Sequence, residues 1–225
     1  MRNPPNARLL IVQPHERRWP ATIAVAVIIA LQFAAPDQIE PSWWPVLVVV
    51  EILLLIPLLA TNPVSLNRDH PLLRGFAVGL AVLLLAVNAA RLVQLFLAMV
   101  HHDPISAPNL LGSGVLIWST NVVATAVVFW ELDRGGPFAR DPKHERRELP
   151  ADLLFPQMTG IPGVDPKSWR PSFVDYLFVA FTTATAFSPT DTMPLTGRPK
   201  ILMMIAASVS LATIAIVAAR AVNIL

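Results

Sequence analysis

Arg74-Gly-Phe-Ala-Val-Gly-Leu-Ala-Val-Leu-Leu-Leu-Ala-Val-Asn-Ala-Ala-Arg-Leu-Val-Gln-Leu-Phe-Leu-Ala-Met-Val100 is the stretch that decides the fold. After Arg74 it holds a single charge, Arg91, and two amides, Asn88 and Gln94, among residues that are otherwise apolar or small. A bilayer core about 30 Å thick is crossed by roughly 20 predominantly apolar residues in a helix. This run is long enough to cross at a tilt. Working outward from it, Trp19–Ala35, Trp43–Ala60, Leu110–Trp130, Pro171–Phe187 and Pro199–Ile224 are further apolar segments. The first and fifth are short. The sequence predicts an all-α, polytopic transmembrane helix bundle of six spans in a single membrane domain, 1–225.

Composition agrees. The chain of 225 residues is 54% hydrophobic and 14% charged, with a mean hydropathy of +0.56. A soluble domain carries about 25% charged residues, so this chain lacks the charge to cover a water-facing surface. The 22 prolines do not indicate disorder, because disordered chains are poor in apolar residues. Most of them, such as Pro20, Pro45, Pro71, Pro108 and Pro199, stand at segment ends, where a missing N–H costs little. Pro57 lies inside the second segment and predicts a bend there. With no cysteine there is no disulfide, no thiol nucleophile and no Cys-ligated metal. A net charge of +2 gives no reason to expect a nucleic-acid partner.

Orientation follows from basic residues in the links. If all six segments cross, Arg2, Arg8, Arg17, Arg18, Arg68, Arg74, Arg134, Arg140, Lys143, Arg146, Arg147, Lys167, Arg170 and Arg220 share one side, against Arg198 and Lys200 on the other. Fourteen against two places both termini in the cytoplasm of a cell with this protein in its plasma (inner) membrane. The first segment reads as an uncleaved span, since its long leading region and poor A-x-A pattern do not suit a signal peptide. The polar link 131–171 reads as a solvated cytoplasmic loop, or alternatively as one that docks Phe155, Met158 and Trp169 on the membrane surface.

Ionisable residues at membrane depth are expensive and are where function is sought first. Glu51 lies roughly 12 Å inside Trp43, and Arg91 roughly 15 Å inside His101, by helical rise. Asn121 falls near the same depth. Asn88, Arg91 and Gln94 recur at i, i+3, i+6 and share a helix face. The expectation is a buried polar layer of Glu51, Arg91 and Asn121, flanked by Asn88 and Gln94. It serves either as a charge pair that fixes helix register or as a site for an ion, a proton or a small solute.

The C-terminal hairpin, 172–225, opens with Ser172 and Asp175 in a capping-box-like arrangement. Its turn carries Thr182, Thr183, Thr185, Ser188, Thr190 and Asp191. The fifth segment either crosses in a thin region or belongs to a turn that dips inward. Asp175 and Arg220 form a candidate pair at the inner ends of the last two segments. The layout superficially resembles the pore helix, filter and inner helix of two-span potassium channels. The filter glycines are missing, however, and Pro189 occupies the turn, which argues against a ring of stacked carbonyls.

A closer likeness is carried by Phe129-Trp-Glu-Leu-Asp-Arg-Gly-Gly-Pro137, Phe155-Pro-Gln157, the run Tyr176–Asp191 and the tail Ala218-Ala-Arg-Ala-Val-Asn-Ile-Leu225. Over 129–225 the chain resembles the bacterial integral membrane proteins grouped as domain of unknown function 1345. That resemblance implies a multi-span inner-membrane protein and no particular activity.

Enzyme motifs such as H-E-x-x-H and G-x-S-x-G are missing, so the sequence predicts a protein that is not an enzyme, with no catalytic residue, cofactor or metal. His101-His102-Asp103 offers adjacent side chains that rarely converge on one ion. Ser208, Ser210 and Thr213 make a small-residue face that a homo-oligomer or packing within one chain could use. The expected partners are the lipid bilayer, an ion or small solute, and a second copy of the chain. A scaffold or subunit of a membrane complex is the alternative to permeation.

Overall fold

The computed structural model describes residues 19–33, 44–61, 71–101, 105–137, 139–140, 149–166, 168–185 and 191–224. Six α-helices account for most of them: α1 (Trp19–Gln32), α2 (Trp44–Thr61), α3 (Pro71–Val100), α4 (Ala107–Leu132), α5 (Phe173–Thr185) and α6 (Gly197–Ile224). Two short strands, β1 (Leu153–Leu154) and β2 (Met193–Pro194), and two 3-10 turns, Asp133–Gly135 and Pro156–Met158, complete the described elements. Among the described residues the fold is all-α apart from that strand pair. Within α3, α4 and α6 there are stretches long and apolar enough to cross a membrane, while 19–32, 44–56 and α5 are shorter apolar helices.

The helices start where backbone chemistry favours a start. Ser106 caps α4 by accepting the N–H of Asn109, with proline in the first turn, so an orphan donor is satisfied and a missing one does no harm. α4 stops abruptly because Arg134, Gly135 and Gly136 take φ of 50°, 79° and 94° in succession. Two of these three left-handed positions are glycine, the residue that adopts them without strain.

α4 is the central element. From Thr120 to Glu131 nearly every side chain is buried, because α1, α3, α5 and α6 all pack around it. α6 is the opposite case: Ile201, Met204, Ile205, Leu211 and Ile214 are exposed on its outer side.

Side-chain contacts fix the helix directions. Arg74 at the start of α3 donates to the Glu131 carbonyl at the end of α4, and Leu95 clusters with Leu110. α3 and α4 are therefore antiparallel. Asn121 bonds to Ala206 and Ser210, and Gly114 lies against Val217, so α6 is also antiparallel to α4. Phe173 meets Trp130 edge-on at 5.9 Å and Phe181 meets Trp118 at 5.4 Å, which orients α5 the same way.

It follows that α5 and α6 both begin at the end where α4 stops, and run side by side in one direction. This differs from the expected alternation of spans, in which the turn before α6 faces away from the 131–171 link. The strands make the difference explicit. β1, from that link, pairs antiparallel with β2, from that turn, Leu153 opposite Pro194 and Leu154 opposite Met193. Leu195 N–H donates to the Asp152 carbonyl at 2.8 Å. α5, at 13 residues, reaches about 20 Å by helical rise before the chain comes back to the end it entered from.

The described part of 149–171 is solvated only in part: residues 159–163, Asp165, Pro166 and Ser168 are exposed, but the residues on either side are not. Leu153, Phe155 and Trp169 are buried in the main core beside Phe173 and Tyr176. Phe155 is 5.6 Å from Trp169 and 5.4 Å from Tyr176. Phe155 and Trp169, expected at a membrane surface, instead fill the space over the ends of α4 and α5. Met158 packs against the same core and takes the Arg134 guanidinium on its sulfur. The rings of Trp130, Phe155, Trp169, Phe173 and Tyr176 meet edge-on or tilted, the arrangements that aromatic pairs favour.

Candidate functional site

On α2 the buried positions are Trp44, Val48, Glu51 and Leu55, with Val46, Val49, Leu53 and Ile56 turned outward. Glu51 thus occupies a core position of an otherwise apolar stripe, and it is 0% exposed. Its Oε2 accepts a hydrogen bond from Gln32 Nε2, at the end of α1, at 2.8 Å. Arg91, buried on α3, interacts electrostatically with the Glu51 carboxylate. The guanidinium carbon of Arg91 lies 3.6 Å from the centre of the Trp44 ring, a cation–π contact that suits a cation removed from water.

Asn88 stands one turn before Arg91 on the same face of α3. Asn88 is 1% exposed. Neither its Nδ2 nor its Oδ1 has a hydrogen-bond partner among the described residues, and the same holds for Gln32 Oε1 and Glu51 Oε1. Gln94 is half-buried one turn beyond Arg91.

Asn121 does not join this group. Its Nδ2 donates to the Ala206 carbonyl at 2.7 Å and to Ser210 Oγ at 2.8 Å. Depth along α4 was readable from the sequence, but the direction in which position 121 points was not, and it points to α6. Of the expected small-residue face of α6, Ser210 and Thr213 are buried within the chain, whereas Ser208 is exposed.

The hairpin residues separate in the same way. Thr182 donates to the carbonyls of Phe178 and Val179, Thr183 to Val179, and Thr185 to Thr182. Their hydroxyl protons are committed to the backbone of α5. Asp191 is exposed, whereas Ser188 and Thr190 lie outside the described residues. Asp175 accepts both the N–H and the hydroxyl of Ser172 at 2.7 Å, capping α5. The expected pairing of Asp175 with Arg220 is excluded by direction. Asp175 is at the start of α5, and Arg220 is about 35 Å of helical rise beyond the start of the parallel α6. His101 is exposed after α3, and His102 and Asp103 are outside the described residues.

A second polar centre, at the end of α4, went unnoticed in the sequence. Asp133 is buried. One carboxylate oxygen accepts the N–H groups of Asp152 (2.8 Å) and Leu153 (3.3 Å), and the other accepts the Tyr176 hydroxyl at 2.6 Å. Arg140 donates to the carbonyls of Trp130 and Asp133, at 2.9 and 2.7 Å, and stands 5.1 Å from the Tyr176 ring centre. The Asp152 carboxylate in turn accepts the Thr196 hydroxyl. Asp133 therefore ties α4, β1 and α5 together, and Asp152 continues the tie to the start of α6. Glu131, two residues earlier, is 0% exposed. The only available signal was the run Phe129–Pro137, where two acids precede a glycine stop.

Comparison with protein-family models, curated proteins and solved structures gives no match. The likeness of 129–225 to a known family remains an expectation drawn from its residues.

Proposed function

We propose that this is a multi-pass membrane protein that moves an ion or a small solute across the bilayer. In this topology α1, α2, α3, α4 and α6 cross, and α5 enters and returns on one side. Irregular backbone at membrane depth is tolerated where protein buries it or water lines it. Basic residues support the arrangement. With α6 starting beside the end of α4, Arg198 and Lys200 join the segments carrying the other loop arginines and lysines, and Arg220 alone is left at the opposite end. Fifteen against one is a sharper asymmetry than six crossings give, and it puts the α4-end of the bundle in the cytoplasm. The end of α6 then faces away from the start of α1, so the two ends of the chain no longer share a side. A multi-span inner-membrane protein is also what the family resemblance implies.

The observation that carries the permeation reading is the incomplete pairing around Glu51. A buried ion pair that serves only to lock helices is stable when every polar atom around it is satisfied. Here a carboxylate oxygen, an amide oxygen and a whole asparagine amide are buried with no partner among the described residues. The scaffold reading draws support from Asn121, whose Nδ2 makes two bonds to α6 that fix helix register, while its own Oδ1, like those of the Glu51 cluster, has no partner among the described residues.

The test is solute flux in liposomes containing the purified protein, comparing wild type with Glu51→Gln and Arg91→Gln. Loss of flux in folded variants supports permeation. Normal flux in variants that are merely less stable assigns the cluster to assembly.

A further inference from the structure

The described basic residues gathered at the end where α4 stops are mostly engaged within the chain. Arg74 donates to the Glu131 carbonyl, Arg134 to the Met158 sulfur, Arg140 to the carbonyls of Trp130 and Asp133, and Arg170 to the Trp169 carbonyl. Arg198 and Lys200, in the first turn of α6, differ. Both are exposed, and neither side chain makes a hydrogen bond or an ion pair with a described residue. The first turn of α6 contains no acidic residue. Asp191, exposed just before β2, pairs with neither cation.

The two cations stand on a turn that is pinned in place and apolar on its outside. β2 is paired with β1, the Leu195 N–H donates to the Asp152 carbonyl at 2.8 Å, and the Thr196 hydroxyl donates to the Asp152 carboxylate. Thr192 and Pro199 are buried. Met193 and Leu195, two apart and so on one side of the strand, are left exposed. Along α6, Arg198 is followed by exposed Ile201 and Ile205 at i+3 and i+7, and Lys200 by exposed Met204 at i+4. These are two adjoining columns, each with a cation at its head and apolar side chains below it. The helix is long and apolar enough to cross a membrane, and its exposed apolar face begins at Ile201, directly after the cations.

We infer that this face is a seat for an anionic phospholipid, with the headgroup phosphate between Arg198 and Lys200 and an acyl chain along Ile201, Met204 and Ile205. Charge complementarity identifies the headgroup, because unpaired cations beside a span attract anionic lipid. Arg198 offers a planar fork of donors to phosphate oxygens and Lys200 a point charge. The apolar face identifies a lipid rather than a soluble anion, since an inorganic phosphate gains nothing from the exposed Met193, Leu195 and Ile201. Docking on the membrane surface, expected of Phe155 and Trp169, falls in this account to Met193 and Leu195 of the turn. The seat does not depend on whether the protein moves a solute.

The experiment titrates the full chain, purified in a neutral detergent, with dioleoyl phosphatidylglycerol, dioleoyl phosphatidylcholine or inorganic phosphate. Native mass spectrometry counts the bound molecules, and thermal unfolding is followed in parallel. Wild type is expected to take phosphatidylglycerol about thirtyfold more tightly than phosphatidylcholine, at about fivefold for each basic residue near an anionic surface. Arg198→Gln combined with Lys200→Gln should erase that preference and leave unfolding in phosphatidylcholine unchanged, while Arg198→Lys keeps most of it. A second measurement leaves both cations in place and decides the matter if the double variant fails to fold. In liposomes of the two lipids in equal parts, a fluorophore on Leu195→Cys should be quenched more by acyl-brominated phosphatidylglycerol than by acyl-brominated phosphatidylcholine. Equal quenching, no preference in wild type, or a preference that survives in the double variant overturns the seat. Stabilisation by inorganic phosphate as large as that by phosphatidylglycerol assigns the cations to a soluble anion and overturns the lipid.

Discussion

Asp133 shows how one residue can set the form of a whole end of the molecule. Its two oxygens take three donors from two segments, the Asp152–Leu153 backbone and Tyr176 of α5, and each is buried or partly so. Asp133→Ala leaves them without partners and is expected to destabilise the protein by about 3 kcal/mol or more, at 1–3 kcal/mol for each stranded group. Tyr176→Phe removes a single bond to a charged acceptor and should cost about 1.5–3 kcal/mol. Thermal unfolding in detergent checks both, with Asp133→Ala the larger loss. Gly136→Ala tests the turn itself: a Cβ at φ 94° so near the Glu131 carbonyl should cost about 1–3 kcal/mol. None of these partners could be read from the sequence. Asp133 looked like one more polar residue in a charged link, because its donors lie 19 to 43 positions away. Glu51 and Arg91 were different: a charge in the middle of an apolar run announces its depth by counting residues from the nearest tryptophan or histidine. Counting gives depth and not azimuth, which is why Asn121, at a suitable depth, turned out to bond α6.

Among the elements, the long helices were legible and the strands were not. The structure puts α2 at Trp44–Thr61 and α4 at Ala107–Leu132, close to the expected Trp43–Ala60 and Leu110–Trp130, since apolar length and flanking proline define a helix locally. β1 and β2 have two residues each, too few for any alternation to show. Yet this pair decides the direction of α6. The aromatic cluster over the ends of α4 and α5 was hidden for a related reason: Phe155 and Trp169 are isolated in a proline-rich polar stretch, and only the fold brings them to Trp130, Phe173 and Tyr176. The strand register supplies its own check. The native chain has no cysteine, so Leu154→Cys with Met193→Cys, directly opposed in the ladder, should form a disulfide on mild oxidation. Leu154→Cys with Ile161→Cys should remain reduced. Failure of the first pair to cross-link would place the turn before α6 away from the 149–171 segment.

For the whole molecule, the account comes down to which way the last helices run. α4 at the centre, with α5 and α6 both entering from the end where it stops, accounts for the short length of α5 and for the clustering of basic residues at one end. It also accounts for the lack of an Asp175–Arg220 pair. The direct measurement is side-specific thiol labelling of single-cysteine variants in sealed inner-membrane vesicles and intact cells: Arg170→Cys before α5, Arg198→Cys at the start of α6 and Ala219→Cys near its end. The account predicts that positions 170 and 198 label from the cytoplasmic side and position 219 from the opposite side. Labelling of 198 from the side opposite 170 would contradict it, and would mean that α5 crosses the membrane.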